Sequence, residues 1–196
     1  VMPKPARQSA PGSIVAVVLL RGDDDKHDRP SPERTLQIFT LGRFALATGG
    51  HGLAVEKWQR KQALSLLKFL VAHLGRAVHR EALIEHLWPE VDECHGWERL
   101  KVTVYFLRRQ LRAAGMDEDV VATAEKAYVL RREAVWLDTE IFESLVAEGC
   151  AEQRRQRWDE ALRCYDEARC LYRGDYMAED IYDDTFALQR ERLREI

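Results

Sequence analysis

The chain has 196 residues, of which 46% are hydrophobic and 32% charged, and this is enough for one large domain or two small ones with a sizeable core. No apolar run approaches the about 18 residues that a membrane-spanning helix needs, and the four cysteines form no Cys-x-x-Cys pair, so the composition excludes a membrane span and favours reduced thiols. The net charge of -3 hides an asymmetry between the two parts of the chain. Residues 1–116 carry 18 Lys and Arg against 12 Asp and Glu, whereas residues 117–196 carry 12 Lys and Arg against 21 Asp and Glu. A basic part joined to an acidic part favours an anion-binding module joined to a second unit.

Residues 1–34 are rich in Pro, Ser and Asp, apart from the apolar segment Ile14–Leu20. Because this composition buries little apolar surface, we predict a disordered arm or linker. The apolar segment lacks a small-residue cleavage site, which disfavours a signal peptide, and the alternative is a strand that joins a neighbouring sheet. The chain opens with Val-Met rather than Met, which indicates a fragment or an unusual start.

From Thr35 the sequence takes a period of two. One face of the predicted strand carries Leu36, Ile38 and Thr40, and the opposite face carries Gln37, Phe39 and Leu41. A Gly-rich turn over Thr48–Gly52 precedes a further apolar stretch, and together they predict a small antiparallel sheet.

Three helical segments follow the predicted sheet. Leucines at helical spacing predict a first helix over Trp58–Leu74, and Gly75 ends it. A second helix is predicted over Arg80–Trp88, with His79 as its N-cap and Pro89 as its stop. A third helix, over residues 97–114, follows after a short connection.

The third helix has one apolar side and one basic side. Its apolar stripe is formed by Leu100, Val104, Leu107 and Leu111, and its basic stripe by Lys101, Tyr105, Arg108 and Arg112. The remaining side carries Arg99, Val102, Phe106 and Arg109. This arrangement is typical of a helix that packs on a core and enters a DNA major groove, with cations for phosphates and a few side chains for base edges. The alternative is an ordinary amphipathic helix with a solvated arginine face.

Strand-like segments over Val120–Thr123 and Tyr128–Leu130 follow, with Lys126 near the tip between them. A hairpin that follows such helices is a wing. The remainder of the chain predicts a pair of packed helices, with small residues at the positions of close approach, as in tetratricopeptide hairpins. Their packing residues include Phe142, Trp158 and Leu162.

The ordered segments resemble an OmpR/PhoB-type winged helix and, more narrowly, the antibiotic regulatory protein (SARP) family of bacterial transcriptional activators. The winged-helix part of the resemblance is carried by LGRF (Leu41–Phe44), RKQALSLLKFL (Arg60–Leu70), GRAVHREALIEHLWPE (Gly75–Glu90), LKVTVYFLRRQL (Leu100–Leu111) and AYVL (Ala127–Leu130). The family's helical activator domain is represented by VWLDTEIFESL (Val135–Leu145), RWDEALRCYDEARCLYRGDYM (Arg157–Met177) and RERLRE (Arg190–Glu195).

The resemblance implies an α+β winged helix over residues 35–133, with an N-terminal antiparallel sheet, three helices and a wing hairpin. An all-α, tetratricopeptide-like bacterial transcriptional activator domain follows over residues 134–196. Only about three helices remain for that domain, fewer than a self-sufficient solenoid needs, so we expect either that the chain is part of a longer protein or that these helices lean on the winged helix.

The function that the resemblance implies is sequence-specific binding of double-stranded DNA, by a dimer on direct repeats, with recruitment of RNA polymerase in the cytoplasm, at the nucleoid. The candidate DNA-binding residues are Arg80, Arg99, Lys101, Val102, Thr103, Tyr105, Phe106, Arg108, Arg109, Arg112 and Lys126. The cations among them are expected to meet phosphates or guanines, and Val102, Thr103 and Phe106 are expected to touch thymine methyl groups. Substitution of Arg108 with Ala is expected to weaken binding to all sequences.

Two departures from the family's pattern, together with the acidic C-terminal half, favour a second hypothesis. Glu98 places a carboxylate where a small polar residue is usual, and Phe106 stands where a polar or basic side chain is common. The alternative function is therefore a protein–protein interaction module whose winged helix has lost DNA binding.

No other chemistry is indicated by the sequence. His86, Cys94 and His95 match no zinc-ligand spacing, and no phosphate-binding, hydrolase or metalloprotease motif occurs. We therefore predict no metal, no cofactor and no enzymatic activity.

Overall fold

The computed structural model describes residues 35–58 and 60–196, so the predicted arm over residues 1–34 lies outside the described part of the chain. Three strands form an antiparallel meander at the N-terminal side: β1 (Leu36–Phe39), β2 (Ala45–Thr48) and β3 (His51–Leu53). Gly49 and Gly50 connect the last two strands, both with positive φ angles, which glycine adopts without steric cost.

A later strand, β7 (Val135–Leu137), adds to this sheet in parallel with β1, so the strand order is β3-β2-β1-β7. All four residues of β1 are buried, because β1 lies inside the sheet and both of its faces are covered. Phe39, for example, packs on the ring of Trp136 at 5.4 Å. The first sheet thus includes a strand that lies beyond the predicted domain boundary at residue 134.

The three predicted helices are α1 (Lys61–Ala72), α2 (Arg80–Leu87) and α3 (Glu93–Ala113). The structure begins α3 at Glu93, four residues before the predicted start at residue 97. The cause is a cap that the sequence analysis missed: the Asp92 carboxylate accepts a hydrogen bond of 3.1 Å from the backbone N–H of His95.

The N-terminal part of α3 crosses α2 at close range. A Cβ atom on Gly96 would lie only 2.4 Å from Cγ2 of Ile84, so glycine permits this approach. The predicted apolar stripe of α3 is confirmed, since Leu100, Val104, Leu107 and Leu111 are all buried in the core.

The wing is a sheet of three strands. It contains β4 (Val78–His79), β5 (Val121–Ala124) and β6 (Ala127–Leu130), in the order β4-β6-β5. The predicted hairpin corresponds to β5 and β6, with Glu125 and Lys126 as its two-residue turn. The sequence analysis did not predict β4, which is only two residues long.

The C-terminal part is a helical hairpin of α4 (Asp138–Arg154) and α5 (Trp158–Leu171), followed by α6 (Ala187–Arg194). Two of its predicted packing residues are exposed: Trp158 is 58% and Leu162 61% accessible. The prediction was wrong for both because the buried stripe of α5 runs to one side of them, through Ala161, Cys164, Ala168 and Leu171. The winged helix followed by an all-α segment confirms the predicted fold class.

One continuous core joins the helical hairpin to the winged helix. Phe142, Leu171, Met177 and Phe186 belong to the same buried cluster as the core of the first sheet and of α1–α3. The C-terminal helices therefore pack on the winged helix, which is one of the two alternatives expected from the sequence. Within the described residues, no helix is both long and apolar enough to cross a bilayer.

Polar contacts also close this junction. The Asp138 carboxylate accepts hydrogen bonds from the backbone N–H groups of Thr40 (2.7 Å) and Leu41 (2.9 Å) and from the Thr40 hydroxyl (2.7 Å). The segment after α5 returns to the same loop, where Met177 N donates to Thr40 O at 2.9 Å and Gly42 N donates to the carbonyl of Asp175 at 3.0 Å. Burial raises the pKa of Asp138, and these hydrogen bonds oppose that shift.

Candidate nucleic-acid interface

The outward side of α3 carries most of the predicted DNA-binding residues. Arg99, Lys101, Val102, Tyr105, Arg109 and Arg112 are all exposed. Two of them are large apolar or aromatic side chains that a core helix would bury: Val102 is 41% and Tyr105 61% accessible. Cations and apolar groups therefore share one solvent-facing surface, which we call the α3 outer face.

Arg99 and Arg109 differ from most other arginines of the described chain. Neither makes an ion pair or a side-chain hydrogen bond with any other described residue. A surface arginine with all five N–H donors unused within the protein is able to donate them to a ligand such as a phosphate or a guanine edge.

The unusual carboxylate at Glu98 has a partner within the helix. Oε1 of Glu98 accepts a hydrogen bond from Nζ of Lys101 at 2.5 Å. One predicted cation is therefore engaged locally, and it offsets the negative charge that would repel a nearby phosphate. Lys101 is still exposed, and its Nζ lies 5.6 Å from the centre of the Trp97 ring.

Phe106 also has a partner that the sequence analysis missed. Its half-buried ring lies under the guanidinium of Arg60, with Cζ 4.1 Å from the ring centre, and Tyr105 meets it edge-on at 5.7 Å. Arg60 is the N-cap residue of α1. A cation–π pair between a helix start and the α3 outer face is non-local, so no periodicity signal in the sequence would have found it.

A surface cavity of about 440 Å³ lies beside this pair, lined in part by Arg60, Gln62, Arg99 and Val102. Two arginines thus flank one concave part of the α3 outer face. Arg60 and Gln62 are therefore additional candidates for contact with a ligand on this surface.

Thr103 requires a correction. It was expected to touch a thymine methyl group, but it is only 3% accessible and its hydroxyl donates to the carbonyl of Arg99 at 2.8 Å. Thr103 lies three residues after Leu100 and four before Leu107, so it belongs to the buried side of α3. In this structure it cannot reach a base.

Arg108 is brought to the wing instead of pointing outward. Its Nε and Nη2 donate to the carbonyl of Val121 at 2.9 and 2.6 Å, and Nη2 also donates to the Thr123 hydroxyl at 2.7 Å. The guanidinium also lies 5.9 Å from the centre of the Tyr128 ring. Burial raises the pKa of Tyr128, and the charge of Arg108 opposes that shift.

Arg80 and Lys126 meet at the wing tip. The backbone N–H of Arg80 donates to the Lys126 carbonyl at 2.8 Å. The Arg80 guanidinium lies 4.9 Å from the centre of the Trp97 ring and 3.6 Å from a carboxylate oxygen of Glu93. Lys126 itself is exposed, so its cation is accessible to a ligand at the wing tip.

The residues once considered for a metal do not converge. His95 pairs with Asp92 at 2.6 Å, whereas His86 faces Asp183 at 3.7 Å and Cys94 is an exposed free thiol. Among residues 35–58 and 60–196, no group of three or more His, Cys, Asp or Glu side chains is placed to hold a metal ion.

Two family models match the sequence. Residues 58–130 match the transcriptional regulatory protein C-terminal domain, and residues 137–196 match the bacterial transcriptional activator domain. Their order is the one that the sequence resemblance implied, and it confirms that resemblance. Both are families of transcriptional regulators and not of enzymes.

A solved structure shares the fold. It is that of Mycobacterium tuberculosis EmbR in complex with a low affinity phosphopeptide, with a TM-score of 0.71 and 23% sequence identity. The similarity covers 83% of the present chain and 42% of the EmbR chain. No curated protein sequence matches the chain.

Proposed function

Since the chain belongs to the SARP-type bacterial transcriptional activators, we propose that it binds double-stranded DNA sequence-specifically, with α3 in the major groove and the wing tip at the adjacent backbone or minor groove. The coarser statement, a regulator of transcription, follows from the two matched domains. The proposal adds the surface, the residues and the mode of contact.

The observation that carries the proposal is the contrast between the two sides of α3. One side is buried in the core through Leu100, Val104 and Leu107. The other presents Arg99 and Arg109, which have no protein partner among the described residues. Exposed cations without a protein partner are suited to bind the phosphate backbone of DNA, because such binding is driven mainly by charge neutralisation and counterion release.

Sequence preference has a separate source on the same surface. Val102 and Tyr105 are exposed and apolar or aromatic, and they flank the arginines. Apolar side chains in a major groove discriminate thymine through its methyl group, whereas an arginine favours guanine. We propose that Val102 and Tyr105 set base preference, while Arg109 and Arg112 contribute to affinity.

The protein-interaction alternative is less well supported by the structure than by the sequence. In the sequence it was supported by the Glu98 carboxylate, by Phe106 as an exposed aromatic residue and by the acidic C-terminal half. Glu98 is paired with Lys101, and the Phe106 ring is half-buried beneath Arg60. Neither side chain forms the open apolar patch that a lost DNA-binding surface would offer to a partner protein.

The wider assembly follows from the proposal. Regulators with this domain order act as dimers on direct repeats, and we propose the same here, with RNA polymerase as the protein partner and the bacterial chromosome as the place of action. In this arrangement the helical hairpin, fixed to the winged helix by the common core, would orient whatever it binds relative to DNA.

The test is a selection of bound sequences from a random duplex library at near-physiological salt. The wild-type chain is compared with the double variant Arg99→Ala/Arg109→Ala. Arg169→Ala is the matched control, because Arg169 is an exposed arginine on α5 that pairs with Asp166. We expect the wild type and the control to enrich one common motif and the double variant to enrich none.

If the wild type enriches no motif, sequence-specific binding is disproved. If it binds DNA weakly, without salt dependence, and retains a protein partner in pull-down experiments that Phe106→Ala releases, the interaction-module function replaces the proposal.

A further inference from the structure

We propose that Arg108 is a positioning residue for DNA binding, which fastens β5, an outer strand of the wing, to α3 so that helix and wing meet the duplex as one unit. This inference rests on the proposed DNA-binding function and assigns Arg108 a role other than the direct phosphate contact that its place in the sequence suggests.

The Arg108 side chain bridges α3 and β5. Arg108 lies in the second half of α3, and its guanidinium crosses to β5, where Nε and Nη2 both donate to the Val121 carbonyl and Nη2 also donates to the Thr123 hydroxyl. Three hydrogen bonds of 2.6–2.9 Å therefore join residues that are 13 and 15 positions apart in sequence.

Arg108 holds β5, which lies at an edge of the wing sheet. β5 is an outer strand of the three-stranded wing sheet and pairs with β6 alone. The opposite side of the sheet is already attached to the helical part of the domain, because β4 leads directly into α2 and the Arg80 N–H continues the pairing to the Lys126 carbonyl. The base of β5 is also held by Val121, which is buried in the common core, but Ala122 is half-buried and Thr123 and Ala124 are exposed toward the tip. The bond from Arg108 to Thr123 therefore fastens the part of β5 that the core does not hold.

The chemistry explains why an arginine stands at this position. A planar guanidinium presents several N–H donors in a fixed fork and can meet a carbonyl and a hydroxyl together, whereas a lysine ammonium is a point charge on a flexible stem. Because Nε and Nη2 are engaged by β5, only Nη1 is left to reach outward. Arg109, the next residue, is exposed and engages no other described side chain, so it provides a direct-contact comparison on the same turn.

The decisive experiment is a double-mutant cycle on DNA affinity, measured on the selected duplex with the full chain. The four proteins are wild type, Arg108→Ala, Lys126→Ala and the double variant. A positioning role predicts that Lys126→Ala weakens binding about threefold to tenfold in the wild type. It predicts a smaller loss once Arg108 is absent, because the turn that carries Lys126 is then held through β6 and the Arg80 N–H, without the attachment of β5 that fixes its cation relative to α3.

The parallel cycle with Arg109→Ala is the matched control. Arg109 and Lys126 act on DNA independently in this account, so their fold-changes should multiply. Additivity in the Arg108 cycle, or a Lys126→Ala variant that binds like wild type, would overturn the proposal while leaving DNA binding itself intact. A wild type without a selectable motif would instead remove the proposed function.

Two milder variants distinguish a positioning role of Arg108 from a general loss of folding. Arg108→Lys keeps the charge and loses the fork, so we expect affinity close to that of Arg108→Ala; affinity equal to wild type would show that charge alone matters. Thr123→Val leaves Arg108 in place and removes one acceptor, so a smaller loss in the same direction is expected, with thermal unfolding confirming that both variants are folded at the assay temperature.

Discussion

Arginine and lysine occur in two opposite environments in this molecule, the α3 outer face and the junction between the winged helix and the helical hairpin. At the junction, Lys68 is 6% and Arg190 only 5% accessible. Lys68 pairs with Asp180 at 2.5 Å, and Arg190 donates to three backbone carbonyls. On the α3 outer face, Arg99 and Arg109 are exposed and have no partner among the described residues.

The difference in burial and pairing indicates a different role for the cations of each region. A buried cation is tolerated only when its hydrogen bonds are supplied by the protein, because desolvation is otherwise too costly. Lys68 on α1 therefore stabilises the attachment of one module to the other, whereas Arg190 holds α6 to the segment after α5 that contacts the winged helix. Arg99 and Arg109 on the α3 outer face cost little to hold in water, contribute little to stability, and remain available for an external anion.

The largest effect is expected from Arg190→Ala. Its guanidinium donates to the carbonyls of Tyr176 (3.0 Å), Asp180 (3.1 Å) and Ile181 (3.4 Å), and its removal takes these donors from one buried and two part-buried acceptors. We predict a loss of about 3 kcal/mol or more in the free energy of unfolding, measured by urea denaturation. The exposed control, Arg169→Ala, should cost no more than about 0.5 kcal/mol. Equal losses would contradict the distinction between the two regions.

The next largest effect on stability is expected at Gly42, in the loop between β1 and β2 that contacts the segment after α5. Gly42 has a φ of 101°, and a Cβ atom there would lie 3.2 Å from the backbone carbonyl carbon of Arg173. Gly42→Ala is therefore predicted to destabilise the protein by about 1–3 kcal/mol. Gly52→Ala serves as the control in the same denaturation experiment, since its Cβ would meet nothing within 4 Å. A Gly42 variant as stable as the Gly52 variant would show that the loop is not tightly held.

A pH effect is expected at the same junction. His86 on α2 faces Asp183 at 3.7 Å and packs on Phe69. Burial lowers its pKa, although the nearby Asp183 carboxylate opposes the shift. The unfolded chain therefore binds the proton more readily than the folded one, and the free energy of unfolding should fall as the pH decreases through the ordinary histidine range.

His86→Gln should remove that part of the pH dependence, as measured by urea denaturation at a series of pH values. The exposed His51→Gln variant is the control and should retain it. A wild-type stability that rises as the pH falls through this range, and does so only when His86 is present, would mean that ion pairing with Asp183 outweighs burial.

The smallest effect on stability is expected on the α3 outer face. Val102→Ala should change the free energy of unfolding by no more than about 0.5 kcal/mol, because Val102 is largely solvent-facing. It should nevertheless alter the base preferred at one position of the selected motif. An unchanged motif would show that Val102 does not touch a base.

Periodicity was sufficient to predict the main lines of the fold. The leucine stripe of α3 and the wing hairpin around Lys126 are local patterns, and the structure has both. The start of α3 was misplaced because its cap, Asp92, lies in a stretch that resembles a loop. The strand β4 was missed because two residues carry no period.

The candidate site was less predictable than the fold. Exposure of Arg99 and Arg109 follows from helical spacing alone, since both point away from the leucines. The partners of Arg108 and Phe106 come from β5 and from the start of α1, and tertiary contacts of this kind leave no trace in spacing. Thr103 was misassigned because a polar residue beside an apolar stripe was taken for a surface residue.

The most direct test of the α3 outer face is the salt dependence of DNA affinity. On the selected duplex, the logarithm of the association constant should fall linearly with the logarithm of salt concentration. Arg99→Ala and Arg109→Ala should each reduce the magnitude of that slope by about one, whereas Arg169→Ala should leave it unchanged. If neither variant changes the slope, or if wild-type affinity is insensitive to salt, these arginines do not bind the DNA backbone and the account of this surface is wrong.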